Sequence, residues 1–337
     1  MKTTKHKISV QIANSLQDSN WDQFVDRSNN GTIFHKLSFL QYHPQERFNF
    51  HNLAFYEGNK LVAVLPGCVT EDIYKSPAGA SYGGFVTKNV GLETIEAVVD
   101  SFITYVKKCG IHEIFLTPAP RAYVKYPNEL FEYVLRYKGF VEKYHLVSNI
   151  TLITDLKARG TLNESDEEIL NFLSSMHRRA VRKSFKEGVF VEINDNLDEF
   201  YPILIDNKKK FDTPPTHTLE EIKKLKLLFP NEIKLMLAYT PSRIAVAGLL
   251  LFICNRRTVL TFYIAHYYKY QHYRAVNRLF YEALKWARNQ NFSYLDLGVS
   301  MDTFSENPME PSRKLIAFKE GINSRGMLRT CYHLHLI

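Results

Sequence analysis

Residues 276–297 read Val276-Asn277-Arg278-Leu279-Phe280-Tyr281-Glu282-Ala283-Leu284-Lys285-Trp286-Ala287-Arg288-Asn289-Gln290-Asn291-Phe292-Ser293-Tyr294-Leu295-Asp296-Leu297. Val276, Leu279, Phe280, Ala283 and Ala287 recur at helical spacing and make one apolar stripe. The short run from Phe292 to Leu297 then reads as a buried strand. The same pair of elements occurs earlier in the chain, at a constant offset of 181 positions. Ile95, Val98, Val99, Phe102 and Val106 form the matching stripe, and Ile111-His112-Glu113-Ile114-Phe115-Leu116 the matching strand.

The correspondence extends outward in both directions. Upstream, Leu53–Tyr56 and Leu61–Leu65 flank the turn Gly58-Asn59-Lys60, a hairpin signal. Ile233–Tyr239 and Ile244–Phe252 flank Pro241-Ser242-Arg243 in the same way, 183 positions on. Downstream, each strand is followed by a further helix, then by a turn carrying Gly139 or Gly321, then by a last strand. Matches in this order argue for tandem copies of one unit: hairpin, strand, helix, strand, helix, strand. A unit that mixes antiparallel pairing with a strand–helix–strand crossover is α+β, or mixed α/β. The polar stretch Lys157–Ser165 is the expected linker, which sets domains at 1–157 and 158–337.

Composition bounds the function. The chain has 337 residues, 45% of them apolar and 23% charged, so it buries enough surface to fold and is not disordered. Its longest apolar run, Ile244–Cys254, is far short of the roughly 20 residues that a membrane-spanning helix needs. The start MKTTKHKISVQIANS is basic but too polar for a signal peptide. Cys68, Cys109, Cys254 and Cys331 lie far apart and read as reduced thiols of a cytoplasmic protein. The twelve histidines form no HxxxH or HExxH cluster, and His266, His272, His333 and His335 read as scattered, so no metal is expected. A net charge of +8 suits an anionic partner: nucleic acid, a phosphorylated substrate or an anionic membrane face touched peripherally.

Three sequence words stand out. They are Ser76-Pro77-Ala78-Gly79-Ala80-Ser81-Tyr82-Gly83-Gly84; then Asn277, Tyr281-Glu282-Ala283 and Trp286-Ala287 leading to Asp296-Leu297-Gly298-Val299-Ser300; and Phe318-Lys319-Glu320-Gly321. The second copy resembles a GNAT acyltransferase domain. Two such domains in one chain, with these words in this order, resemble the Fem peptidyltransferases and the wider FemAB-like or BioF2-like acyltransferases of envelope-polysaccharide clusters. The last word is similar to the FKxxFG signature of that group, with Ile322-Asn323 in place of Phe-Gly.

The resemblance implies two GNAT-like domains, each a mixed, mainly antiparallel sheet flanked by helices. It implies transfer of an aminoacyl or acyl group to an amine of an activated cell-envelope, peptidoglycan or polysaccharide precursor. The donor is aminoacyl-tRNA or acyl-CoA, and the acceptor is expected between the domains. It implies that Phe318 and Lys319 lie at the donor end, with Lys319 stabilising charge on the ester carbonyl. Tyr82 and Asn277 become substrate-binding candidates, Tyr263 a groove-lining residue, and Asp296 a proton acceptor or a structural carboxylate. Two alternatives stay open: an acetyl-CoA-dependent amino-sugar N-acetyltransferase, and a non-catalytic duplicate that binds glycan or RNA.

Two further stretches bear on the anionic partner. A helix capped by Ser165 is expected to carry Ile169, Leu173, Met176 and Ala180 on its apolar face, with Arg178, Arg182 and Lys186 in one line. Like charges at that spacing repel by about 0.2–0.5 kcal/mol per pair, which a bound phosphate relieves. In Gln271-His272-Tyr273-Arg274, Arg274 stands where a coenzyme A loop of the GNAT type has glycine. That counts against tight coenzyme A binding, though Arg274 can pair with phosphate in another geometry. The interleaved Tyr267-Tyr268-Lys269-Tyr270 fits either base stacking on RNA or a plain cleft wall.

Overall fold

The computed structural model describes residues 7–13, 19–44, 46–158, 166–210 and 213–336. The linker expected within 157–165 and the Ser165 cap fall largely or wholly outside these residues. The chain forms two compact units. The first comprises residues 1–146, 307–309 and 328–337, the second 147–306 and 310–327.

In the first unit, β1 (Ile8–Ile12), α1 (Ser19–Arg27) and α2 (Leu37–Leu40) precede the hairpin of β2 (Leu53–Glu57) and β3 (Lys60–Leu65). Then come β4 (Cys68–Thr70), β5 (Ile73–Ser76), β6 (Val86–Thr87), α3 (Leu92–Lys108), β7 (Glu113–Leu116) and α4 (Leu130–Tyr137). Strands β1, β2, β3 and β6 pair antiparallel. β5 runs parallel to β7, the pairing that a crossover helix produces. The stripe read from the sequence is the buried face of α3: Ile95, Val98, Val99, Phe102 and Val106 are all inaccessible. They pack on Leu53, Phe55 and Leu65 of the hairpin.

β8 (Val141–Leu152) carries the chain into the second unit. There follow α5 (Ile153–Ala158), α6 (Asp166–Phe172), α7 (Ser175–Lys186), β9 (Phe190–Asn194), α8 (Leu197–Lys209) and α9 (Leu219–Leu228). Next are β10 (Ile233–Tyr239), β11 (Ala245–Ile253), β12 (Thr258–His266), α10 (Ala275–Asn289), β13 (Tyr294–Val299), α11 (Arg313–Glu320) and β14 (Ser324–His335). The second unit's strands run β8-β13-β12-β11-β10-β9, antiparallel except for the parallel pair β12–β13. Parallel pairing again coincides with the crossover helix, here α10. Leu279, Phe280, Ala283 and Ala287 of that helix are buried against β10 and β11.

The fold is therefore mixed α/β, and each element expected in both copies is present. Turn chemistry differs between them. Gly58 has φ +57 in the first hairpin, whereas Arg243 holds φ +59 in the second. After α4 the left-handed residue is Gly139, φ +92; after α11 it is Asn323, φ +60, and not Gly321. Asparagine tolerates that region through its short polar side chain. Gly321 instead leaves room for the His177 ring.

The long helix expected from Ser165 is instead two helices. Ser174 interrupts it, and its Oγ accepts the His177 N–H as the N-cap of α7. The restart shifts the helical phase. Val181, Ser184 and His177 face inward, while Met176 is 58% exposed.

Candidate functional site

The new phase decides which cations serve a site. Arg178 donates to Asn171 Oδ1 at 2.7 Å, and Arg182 pairs with Glu167 Oε1 at 2.6 Å. Both are thereby tied to α6. Their neighbours Arg179 and Lys183, four residues apart on α7, instead line a cavity of about 760 Å³ within the second unit. Its apolar wall includes Val246 of β11, Ile264 of β12, Ala275 of α10, and Leu315 and Phe318 of α11.

Arg274 and Asn277 complete this side of the cavity. Arg274 joins the 3₁₀ turn Tyr268–Tyr273 to the start of α10 with φ +56 and ψ +30. The backbone thus keeps the left-handed conformation that glycine serves, at a cost of roughly 1–2 kcal/mol for a side-chain-bearing residue. Among the described residues no carboxylate lies within ion-pair distance of Arg179, Lys183 or Arg274, and no carboxylate lines the cavity. Tyr268 and Tyr270 also line it, with the Lys210 ammonium 4.1 Å from the Tyr268 ring centre and Lys269 5.0 Å from that of Tyr270.

The Phe318-Lys319 pair divides. Phe318 stands on the cavity wall, its ring 4.8 Å from His177 and 5.8 Å from Phe280. Lys319 turns inward. Its Nζ donates to Gly298 O, Val299 O and Ser300 Oγ, each at 2.9 Å, and the residue is only 6% exposed. Burial lowers its pKa to about 8, with the Asp296 carboxylate acting in the opposite direction. Asp296 itself is fully buried and accepts the Gly298 N–H at 2.7 Å. Both residues therefore meet at the end of β13 and are not among those lining the cavity.

Tyr263 and Tyr82 have other partners. Tyr263 Oη is 2.8 Å from His217 Nδ1, and burial raises its pKa. Tyr82 belongs to the first unit, buried with its hydroxyl 3.1 Å from that of Tyr123 and the Arg329 guanidinium 4.6 Å from its ring centre. The glycine-rich word around it is close-packed. Ser76 Oγ donates to Pro66 O and accepts from Gly84 N, and a Cβ on Gly83 would strike it at 2.4 Å.

Two imidazoles line the cavity that the sequence pattern did not mark as site residues: His177, and His266, which reads there only as one of the scattered histidines. Each has a buried Nε2 with no hydrogen-bond partner among the described residues, and burial lowers both pKa values. No spacing pattern flags either one. The signal for His177 is its place three residues after a serine cap, and for His266 its place at the last residue of β12.

Comparison with solved structures turns on this architecture. FemX superposes with a TM-score of 0.72 over 97% of both chains at 15% identity. The C-terminal domain of a putative lysylphosphatidylglycerol synthetase from Agrobacterium fabrum gives 0.60 at 12% identity, over 93% of this chain and 90% of that one. A tandem GNAT protein of the clavulanic acid biosynthesis pathway gives 0.54 at 7% identity, over 98% of both. The fold is that of a tandem GNAT-like protein. No protein-family model matches the chain, and no curated protein does. The tandem GNAT-like fold bears out the architecture expected from the duplicated pattern. At these identities, substrate and chemistry rest on the site itself. No helix among the described residues is long and apolar enough to cross a membrane.

Proposed function

We propose that this tandem GNAT-like protein is an N-acyltransferase, moving an aminoacyl or acyl group to an amine of an activated cell-envelope precursor. The donor occupies the second unit's cavity. The observation that carries this reading is the pairing of an apolar wall with Arg179, Lys183 and Arg274, three cations with no counter-ion among the described residues. An acyl group matches the wall, and the phosphates of an aminoacyl-tRNA end or of coenzyme A match the cations. The resemblance to the Fem peptidyltransferases, and the likeness to a putative lysylphosphatidylglycerol synthetase domain, support an envelope acceptor.

In this reading the Phe318 ring seats the acyl group. Lys319 fixes the end of β13 beside the cavity-lining Phe318. Tyr268 and Tyr270 offer faces on which the adenine that ends either donor can stack. The test is mass spectrometry of nucleotide-sugar and lipid-linked precursors after incubation with charged tRNA or acyl-CoA in turn. Acylated product with one donor class supports the reading and names the donor; no product with either removes it.

A further inference from the structure

Acyl transfer to an amine requires a group that receives the amine's proton, and the cavity offers few. Among the described residues no carboxylate lines it. Among the described residues its imidazoles, His177 and His266, are the lining groups with a lone pair available near pH 7.

His177 is the more deliberately built of the two. It is 1% exposed, whereas His266 is half-buried. Its Nδ1 lies 3.0 Å from Ser174 Oγ, the hydroxyl that caps α7, and Ser174 N in turn donates to Gly321 O. Gly321 is what makes room for the ring. A Cβ there would sit 2.3 Å from both Cε1 and Nδ1 of His177, nearer than atoms can approach. Phe318 covers the ring at 4.8 Å. Serine, glycine and phenylalanine thus fix the imidazole on three sides, while Nε2 has no partner among the described residues. A buried polar atom left unpaired costs about 1–3 kcal/mol, a cost that a ligand group removes on binding.

We propose that His177 is the proton acceptor of the transfer, its Nε2 contacting the attacking amine. The proposal rests on the acyltransferase reading above. With Nδ1–H donating to Ser174 Oγ, Nε2 holds the free lone pair. The amine nitrogen attacks the acyl carbon, forming the C–N bond, and its surplus proton passes to Nε2. The bond from the acyl carbon to the donor's oxygen or sulfur breaks, and the imidazolium returns the proton to that leaving atom. Burial keeps the resting imidazole neutral. Arg179 and Lys183 on its own helix, Arg274 on α10 and His266 on β12 line the same cavity, and the Lys319 ammonium is turned towards Gly298 and Val299.

The experiment measures kcat/KM against pH for the wild-type protein and for His177→Phe, using whichever donor gives product above. Donor affinity is measured separately by calorimetry with acetyl-CoA or uncharged tRNA. His177→Phe is expected to lose about 10²–10⁴ in kcat, the usual share of general base catalysis, with donor affinity within threefold and the acidic limb of the profile gone. Ser174→Ala, which frees the ring without removing it, is expected to lower kcat less and to shift that limb. If His177→Phe fails to fold, His177→Gln keeps a polar group there and should show the same loss. Wild-type activity with a variant profile unchanged overturns the role of His177 and leaves the acyltransferase reading standing. A wild-type protein inactive with every donor overturns both.

Discussion

The Lys319 ammonium directs its three N–H bonds at two carbonyls and a hydroxyl, inside a protein shell that disfavours its charge. Replacing it with methionine leaves those acceptors unpaired, and at pH 7 the variant should be less stable by about 1–3 kcal/mol in urea titrations. The pH dependence has a definite sign. The folded pKa, about 8, lies below the ordinary 10.5, so between these values the unfolded chain binds more protons than the native one. Stability from this group therefore rises with pH across that window, by up to about 3 kcal/mol. The gap between wild type and Lys319→Met should widen from pH 8 to pH 10.5; a constant gap would show that the lysine titrates normally. Arg274 offers a second test at this scale. Arg274→Gly relieves left-handed strain but adds unfolded-state entropy, so its Tm should stay within a few degrees of wild type. Its affinity for inorganic pyrophosphate should fall several-fold, as calorimetry would show.

At the scale of elements, α7 determines which cations reach the cavity. Arg179→Ala and Lys183→Ala should each raise donor KM several-fold and flatten its salt dependence, whereas Arg182→Ala, on the exposed pair with Glu167, should change neither. Steady-state kinetics at two salt concentrations separates these outcomes. The element pattern was legible in the sequence, since apolar periodicity repeated at one offset identifies α3, α10 and the strands after them without reference to tertiary contacts. The phase of α7 was not. Local pattern permits one continuous helix through Leu173, and the break at Ser174 is fixed by hydrogen bonds to His177 and Gly321, the latter far along the chain. The same limit hid the site's imidazole. The Phe318-Lys319 word marked the right helix, but helical geometry sends adjacent residues to different faces, so only Phe318 reaches the cavity.

At the scale of the whole molecule, β14 belongs to both units: Ser324 is buried in the second, while Tyr332, and Leu336 just past the strand, join the core of the first. Tyr332–His335 pair antiparallel with β7 along its whole length. Deleting residues 328–337 should therefore expose the hydrophobic core of the first unit and make residues 46–146 the first targets of limited proteolysis, with 166–306 cut later. Equal cleavage of both would refute that assignment. The same strand has a consequence for biosynthesis. A ribosome releases residues 1–146 long before 328–336, and at about 5–20 residues per second the interval is roughly 10–40 s. During that delay the amino-terminal half waits with an open edge at β7, so the later-made half can mature first, and the nascent amino-terminal half is a natural client for a chaperone.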